Sequence, residues 1–121
     1  MPIRKILIVD DSATDRQFLV ETLSRQGYQC VCAASGEEGV ALSRSEQPDL
    51  VLMDIVMPGM SGFQATRAIA REEQTKHIPV ILCSSKRQET DRVWGMRQGA
   101  RDYVMKPVDP KELIGKIKSM A

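Results

Sequence analysis

Five short apolar runs, each followed by an amphipathic segment, constrain the fold more than any other feature of this sequence. The runs are ILIV (6–9), QCVCAA (29–34), DLVLMD (49–54), PVILCS (79–84) and DYVMK (102–106). Continuous aliphatic and β-branched runs of this length are typical of strands covered on both faces. Their alternation with helices predicts an α/β fold, a five-stranded parallel sheet with helices on both faces.

Start and stop signals predict the helices between these strands. Ser35-Gly-Glu-Glu38 and Ser61-Gly-Phe-Gln64 have the pattern of a capping box. In the first helix, Phe18, Leu19 and Leu23 are expected on one buried face. The helices are predicted over 12–26, from 35 to before Pro48, from 61 onward, over 88–98, and from Asp109-Pro110 to the end of the chain.

Size and charge exclude several classes of protein. A chain of 121 residues is expected to form one domain, 1–121. Lys and Arg number 17 against 16 Asp and Glu and are interspersed with them, so no nucleic-acid partner is predicted. The apolar run 6–9 is too short for a signal peptide or a membrane span. Three cysteines without a CxxC pair favour a reducing, cytoplasmic location.

The cysteines and the single tryptophan are expected to pack rather than to bind. Cys30 and Cys32 lie two residues apart on one strand, and no further cysteine or suitably placed histidine completes a metal site. Cys83 lies within an apolar run and is expected in the core. Trp94 lies on a polar, weakly helical segment of low expected stability. Packing is the first interpretation for Trp94, and a partner-facing anchor is the alternative.

Polar residues recur where the predicted strands end. Asp10 and Asp11 follow the first strand, Asp54 ends the third, Ser84 ends the fourth and Lys106 ends the fifth. The carboxyl ends of parallel strands share one edge, which is where ligands bind in open α/β sheets. We therefore expect these side chains to lie close together. A helix cap is the alternative explanation for the aspartates, but caps explain neither Lys106 nor the third acid.

The chemistry of this set indicates phosphoryl transfer. Three neighbouring carboxylates repel one another unless a cation compensates them, and oxygen ligands of this kind suit Mg²⁺. Lys106 supplies a compact positive charge for phosphate oxygens, and Ser84 supplies a hydroxyl donor. A carboxylate such as Asp54 can act as the nucleophile and form an aspartyl phosphate.

The sequence resembles the receiver domains of response regulators of the chemotaxis type over nearly its whole length. The resemblance is carried by ILIVDDS, PDLVLMDIVMPGMSGF, IPVILCSS and GARDYVMKP. It implies a flavodoxin-like fold with strand order 2-1-3-4-5. It also implies that Asp54 is the phosphoacceptor. Asp11 and Asp54 would then bind Mg²⁺ directly with the backbone carbonyl of Val56, and Asp10 would act mainly through water.

The same resemblance implies a switch. Lys106 would pair with the phosphoryl oxygens, and the Lys106-Pro107 peptide bond would be cis. Ser84 would move toward the phosphoryl group, and Tyr103 would follow it inward. From the residues alone, Tyr103 could equally be a half-buried strand residue with its hydroxyl in water.

Two longer stretches, DIVMPGMSGFQATRAI and DRVWGMRQGARDYVMKPVD, resemble the stand-alone receivers of the chemotaxis-like systems that control type IV pili and twitching motility. This narrower resemblance implies two partners. One is a histidine kinase. The other is a pilus-related or other output protein that binds the surface of the fourth helix, fifth strand and fifth helix.

Three alternatives remain open or are disfavoured. A phosphate sink that drains a shared kinase without direct output fits the sequence equally well. A metal-dependent aspartyl-phosphate phosphatase would need a second acid where Val56 stands, so no enzyme acting on outside substrates is expected. A nucleotide-binding module is disfavoured because no Gly-rich loop follows the first strand. Val56 and Lys86 are expected to tune the lifetime of the phosphoryl group, in a direction that the sequence leaves open.

Overall fold

The computed structural model describes residues 2–85 and 89–120, in which strands and helices alternate as predicted. The strands are β1 (Lys5–Val9), β2 (Gln29–Ala33), β3 (Leu50–Asp54), β4 (Val80–Ser84) and β5 (Asp102–Met105). The helices are α1 (Ala13–Ser24), α2 (Gly36–Glu46), α3 (Gly62–Arg71), α4 (Glu89–Arg97) and α5 (Pro110–Ser119). No helix in these ranges combines the length and the apolar character that a membrane span requires.

All neighbouring strands are parallel and are ordered β2-β1-β3-β4-β5, which confirms the predicted topology. Every residue of β3 and β4 is buried, as expected of strands in the middle of a doubly covered sheet. The register pairs Asp54 with Cys83, and Ser84 with Met105. Both carboxyl-terminal positions that the site needs are therefore fixed by backbone pairing at the centre of the sheet.

The apolar side chains form two layers, one on each face of the sheet. The layer beneath α1 and α5 contains Ile6, Ile8, Leu19, Leu23, Leu50, Leu52, Ile81, Cys83, Val104, Val108, Leu113 and Ile117. The opposite layer includes Leu7, Val9, Val40, Val51, Met53, Ile55, Ala65, Ile69, Leu82 and Tyr103. Successive side chains of each strand pack into opposite layers, and because both layers are apolar, consecutive positions of the buried runs are apolar.

The predicted helix caps are present with one difference. The Ser61 hydroxyl accepts from the Gln64 N–H, and the Gln64 side chain accepts from the Ser61 N–H, which completes a capping box. At α2 the Ser35 hydroxyl accepts from the Glu38 N–H, but the Glu38 carboxylate accepts from the Ala34 N–H instead. The helix start is correct, and the reciprocal bond is displaced by one residue.

Three packing predictions were wrong. Phe18 is 43% exposed, because the buried line of α1 runs through Leu19 and Leu23, one turn apart, and Phe18 is turned away from it. Cys32 is exposed, since β2 is an edge strand and only Cys30 reaches the layer under α1 and α5. Trp94 is 49% exposed, so packing is not its role.

Helix α4 is anchored differently from the other helices. Gly95 is its single buried residue, and a methyl group there would overlap the Leu82 side chain. Val93, Trp94 and Met96 are all exposed on this helix. Helix α4 thus lies close to the sheet through a glycine and buries little apolar surface of its own, as the weak helical pattern predicted.

Candidate functional site

The carboxyl edge of the sheet brings the predicted polar residues together. Asp10 follows β1, and Asp54 and Ser84 are the last residues of β3 and β4. Lys106 was expected inside the fifth strand, but β5 ends at Met105. Its backbone N–H still donates to the Ser84 carbonyl at 2.9 Å, so Lys106 stays at this edge. Because it lies beyond the strand, its side chain is not bound to either face of the sheet. The following Lys106-Pro107 bond is cis, as predicted.

Three carboxylates form a cluster at the centre of this edge. Asp10, Asp11 and Asp54 each offer an oxygen atom, and these atoms lie within 4.8 Å of one another. Asp10 and Asp54 are buried, whereas Asp11 is exposed. An all-oxygen set that is open to solvent on one side suits a hard divalent cation with part of its hydration shell retained. The residues therefore fit the Mg²⁺ that the sequence predicts.

The charge of Asp54 is only partly compensated by the protein. Burial raises the pKa of its carboxyl group to about 6, and the neighbouring Asp10 charge acts in the same direction. The Lys106 ammonium lowers this pKa without cancelling the other two effects. A carboxylate held in this way gains from a bound cation, because the cation compensates an unfavourable buried charge.

Lys106 contacts three carboxylates at once. Its Nζ lies 2.7 Å from Asp10 Oδ2, 2.8 Å from Asp15 Oδ2 and 3.3 Å from Asp54 Oδ1. Burial lowers the pKa of this lysine, but hydrogen bonds to Asp10 and Asp15 outweigh burial and raise the pKa above its ordinary value. The side chain is therefore a permanent ammonium ion beside the candidate phosphoacceptor.

Asp15 was not identified from the sequence. It lies in the first turn of α1, where an acidic residue is ordinarily explained by the helix dipole. One signal could have found it. Asp15 is three residues after Ser12, the predicted cap of a helix that begins at the site, so it lies in the first turn, next to that site.

Ser84 and Tyr103 form a buried pair beneath the site. Ser84 is 1% exposed and Tyr103 is 9% exposed, so Tyr103 is not the half-buried residue of the alternative interpretation. Burial raises the pKa of the Tyr103 phenol, as does the charge of Asp91, and the hydrogen bond between the Tyr103 and Ser84 side chains opposes this rise. The two predicted switch residues are thus in direct contact.

The loop after β3 carries Val56, whose side chain is 58% exposed. The loop closes where the Gly62 N–H donates to the Ile55 carbonyl at 2.8 Å. A methyl group at Gly62 would overlap the Asp54 carbonyl oxygen and lie 2.7 Å from the Ile55 Cα, so only glycine fits there. Lys86, the second position expected to tune phosphoryl lifetime, lies outside the described residues.

Comparison with known proteins defines the class to which this fold and this edge belong. The chain matches the response regulator receiver domain family over residues 6–118, and it therefore belongs to that family. A receiver domain is the input module of a phosphorelay, the class of signalling pathway that the chemistry of the site indicates.

Two individual relatives show how similar the chain is to particular members of this family. The chain is 54% identical over 116 residues to Protein PilH of Pseudomonas aeruginosa, and the match covers 96% of each protein. It is also 39% identical over 117 residues to the phosphate regulon transcriptional regulatory protein PhoB of Escherichia coli, of which it spans 51%.

Solved structures share the whole fold. The chemotaxis protein CheY4 of Vibrio cholerae superimposes with a TM-score of 0.91 at 29% identity, covering 98% of this chain and 99% of that one. A chain of the CheX-CheY-BeF3-Mg+2 complex from Borrelia burgdorferi gives a TM-score of 0.91 at 28% identity, covering 97% of this chain and 88% of that one.

Proposed function

We propose that this receiver domain is a switch operated by phosphorylation of Asp54. A histidine kinase donates the phosphoryl group, and the phosphorylated domain changes its affinity for an output protein. The observation that carries this proposal is the state of Asp54, a buried carboxylate with a pKa near 6, next to two further acids and an ammonium ion. No simple structural role requires a charge at the end of a fully buried strand.

The transfer step follows from the groups at the edge. A carboxylate oxygen of Asp54 forms a bond to phosphorus as the bond from phosphorus to the kinase histidine nitrogen breaks, and that nitrogen keeps the electron pair. Asp11, Asp54 and the Val56 carbonyl would hold Mg²⁺, with Asp10 acting through water. Bound there, Mg²⁺ supplies the positive charge that balances the carboxylates and the phosphoryl oxygens.

Lys106 and Ser84 then read the phosphoryl group. The Lys106 ammonium pairs with a phosphoryl oxygen, and the Ser84 hydroxyl donates to another. Because Ser84 is hydrogen-bonded to Tyr103, a movement of Ser84 is transmitted to the Tyr103 side chain on β5. The phosphoryl group shifts the equilibrium only as far as it interacts differently with the two arrangements. A Ser84→Ala variant is expected to accept phosphate but to switch poorly.

The output surface in this proposal comprises α4, β5 and α5. Val93, Trp94, Met96 and Met105 expose apolar side chains there, which is typical of a protein-binding surface. Helix α4 buries only Gly95, so moving it sacrifices little apolar burial. The identity to PilH and the two longer motifs support a role in chemotaxis-like signalling to type IV pili, with the protein acting in the cytoplasm.

A phosphate sink is the second candidate function. The same site would accept phosphate from a shared kinase and release it to water, with no output contact. The exposed apolar surface on α4 favours the switch. In either case the domain catalyses only its own phosphorylation and dephosphorylation. The Val56 side chain offers no general acid for turnover of outside substrates, which argues against a phosphatase.

The experiment that tests the function is intact-mass analysis after incubation with acetyl phosphate, with and without Mg²⁺. The parent is expected to gain one phosphoryl group only when Mg²⁺ is present. Asp54→Asn is expected to gain none. Asp49→Asn is the matched control, because Asp49 lies at the opposite end of β3 and is expected to be labelled like the parent. Labelling of Asp54→Asn, or none of the parent, would contradict the proposal.

Capture of partners separates a switch from a sink. The parent loaded with beryllofluoride and Mg²⁺ is compared with the unloaded protein and with a loaded Trp94→Ala variant. A switch is expected to retain a partner that depends on both loading and Trp94. A sink would retain only the kinase, in every state.

A further inference from the structure

We infer that Asp15 is a positioning residue that draws the Lys106 ammonium outward and competes with the phosphoryl group for it. This inference rests on the proposed phosphorylation of Asp54. It assigns to the first turn of α1 a part in setting how strongly the phosphorylated state is favoured.

The distances show how the ammonium is shared. The Lys106 ammonium donates hydrogen bonds to Asp10 and Asp15 and forms a longer ion pair with Asp54. The contacts to Asp10 and Asp15 are short, 2.7 and 2.8 Å, whereas the contact to Asp54 is 3.3 Å. The lysine is thus held most closely by the two residues that are not phosphorylated.

The position of Asp15 gives its pull a direction. The Asp10 and Asp54 side chains are 3% and 9% exposed, whereas the Asp15 side chain is 45% exposed. Asp15 therefore holds the ammonium from the solvent side, and the other two carboxylates hold it from inside. Among the described residues, removing the Asp15 charge leaves Lys106 with ion-pair partners only on the inner side, at Asp10 and at the phosphoacceptor Asp54.

Helix capping does not account for this carboxylate. Asp15 is the third residue of α1, from which a side chain can reach back to the N–H of the capping residue. Here the cap is Ser12, and its N–H donates to Asp10 Oδ1 at 2.9 Å. The Asp15 backbone N–H donates to the Ser12 hydroxyl, while the Asp15 carboxylate contacts Lys106.

The consequence is a competition that phosphorylation must overcome. A phosphoryl group on Asp54 brings more negative charge and more acceptors than the carboxylate it replaces. The phosphoryl group forms its full ion pair with Lys106 only as the ion pair between Asp15 and Lys106 weakens. Because Asp15 is partly exposed, we expect its removal to change the balance by a small factor, about threefold, rather than by orders of magnitude.

The test measures beryllofluoride affinity in the presence of Mg²⁺ by ¹⁹F NMR titration. Asp15→Asn is expected to bind beryllofluoride about threefold more tightly than the parent. Asp15→Glu restores the charge and is expected to bind like the parent. Glu21→Gln removes the same charge from an exposed position of α1 that has no ion pair to Lys106, and it is expected to leave the affinity unchanged.

A double-mutant cycle shows whether Asp15 acts through Lys106. In a Lys106→Met background, Asp15→Asn is expected to lose its effect. An unchanged or weaker affinity of Asp15→Asn, or an effect that persists without Lys106, would overturn the inference. If the parent itself binds no beryllofluoride with Mg²⁺, the proposed function fails as well. If the parent binds and Asp15→Asn binds no more tightly, the inference alone fails.

Discussion

The two ends of β3 carry carboxylates in opposite situations. Asp49, immediately before the strand, accepts hydrogen bonds at 2.9 Å from the backbone N–H groups of both Arg4 and Lys5. Burial would raise its pKa, but these N–H groups outweigh burial and lower it. Asp54, the last residue of the strand, has its pKa raised to about 6 by burial and by the Asp10 charge.

The difference separates a charge that the folded chain compensates fully from a charge that it compensates only in part. At the amino edge of the sheet Asp102 repeats the first case, since its carboxylate accepts from Lys116 Nζ at 2.9 Å and from the Tyr103 N–H at 2.8 Å. At the carboxyl edge, the Lys106 ammonium is shared by Asp10, Asp15 and Asp54, and Asp11 lies beside Asp10 and Asp54. At the amino edge, hydrogen bonds outweigh burial and lower the pKa of both carboxyl groups, whereas at the carboxyl edge the Lys106 ammonium compensates Asp54 only in part.

The largest expected effect on stability comes from a substitution that crowds the backbone at the carboxyl edge of the sheet. Gly62→Ala places a methyl group against the Asp54 carbonyl oxygen and the Ile55 Cα, where backbone atoms cannot easily yield. We expect the free energy of unfolding to fall by about 3 kcal/mol. Chemical denaturation of the parent and the variant measures this, and a change under 1 kcal/mol (roughly the median for a point substitution) would show that the loop can move aside.

The next largest effect is the pH dependence of stability that Asp54 causes, which we expect to differ in sign from that of Asp49. Asp54 has a higher pKa in the folded chain than in the unfolded chain, so its contribution to stability falls as pH rises from about 4 to about 6. In EDTA, Asp54→Asn is therefore expected to match the parent near pH 4 and to exceed it by about 2 kcal/mol at pH 8. Thermal and urea unfolding at both pH values test this. An Asp54→Asn variant that is less stable than the parent at pH 8 would contradict it.

Asp49→Asn is expected to show the opposite sign and a smaller size. The pKa of Asp49 is lowered in the folded chain, so its stabilising effect is present at neutral pH and is lost as pH falls through that lowered pKa. At pH 7 we expect the variant to be about 1 kcal/mol less stable than the parent, since water screens this exposed site. The deficit should shrink in acid. Equal stability at pH 7 would remove the contrast between the two ends.

The smallest effect comes from a glycine away from the edge. Gly115 lies in α5 with open space where its side chain would be. Gly115→Ala is expected to stabilise the fold by about 0.7 kcal/mol, because alanine favours the helix and restricts the unfolded chain. It also serves as the control for Gly62→Ala in the same unfolding series. A loss of stability would mean that α5 has a contact at this position that glycine is needed to preserve.

The sequence was sufficient for the sheet and for most of the edge. Strand order followed from a resemblance, but the meeting of Asp10, Asp54, Ser84 and Lys106 followed from the rule that parallel strands end together. That argument holds even when the predicted end of a strand is wrong by one residue. Lys106 shows this, because it lies just beyond β5 and still reaches the site.

The contacts that sequence reasoning missed depend on where helices and edges lie in three dimensions. Asp15 and Lys106 are far apart in the chain and meet only through the placement of α1 beside the loop after β5. Phe18 and Trp94 are apolar residues whose exposure is decided by helix rotation and by the close approach at Gly95. Cys32 is exposed because β2 lies at an edge, which the strand pattern alone does not show.

The exposure of Trp94 on α4 makes the domain its own optical reporter. It is the only tryptophan in the chain, so the indole emission spectrum describes one position on the proposed output surface. A partner that covers the ring would shift emission to shorter wavelength, and a change confined to the far side of the sheet would leave it unaltered. Docking at α4 can therefore be followed in real time on the unlabelled protein.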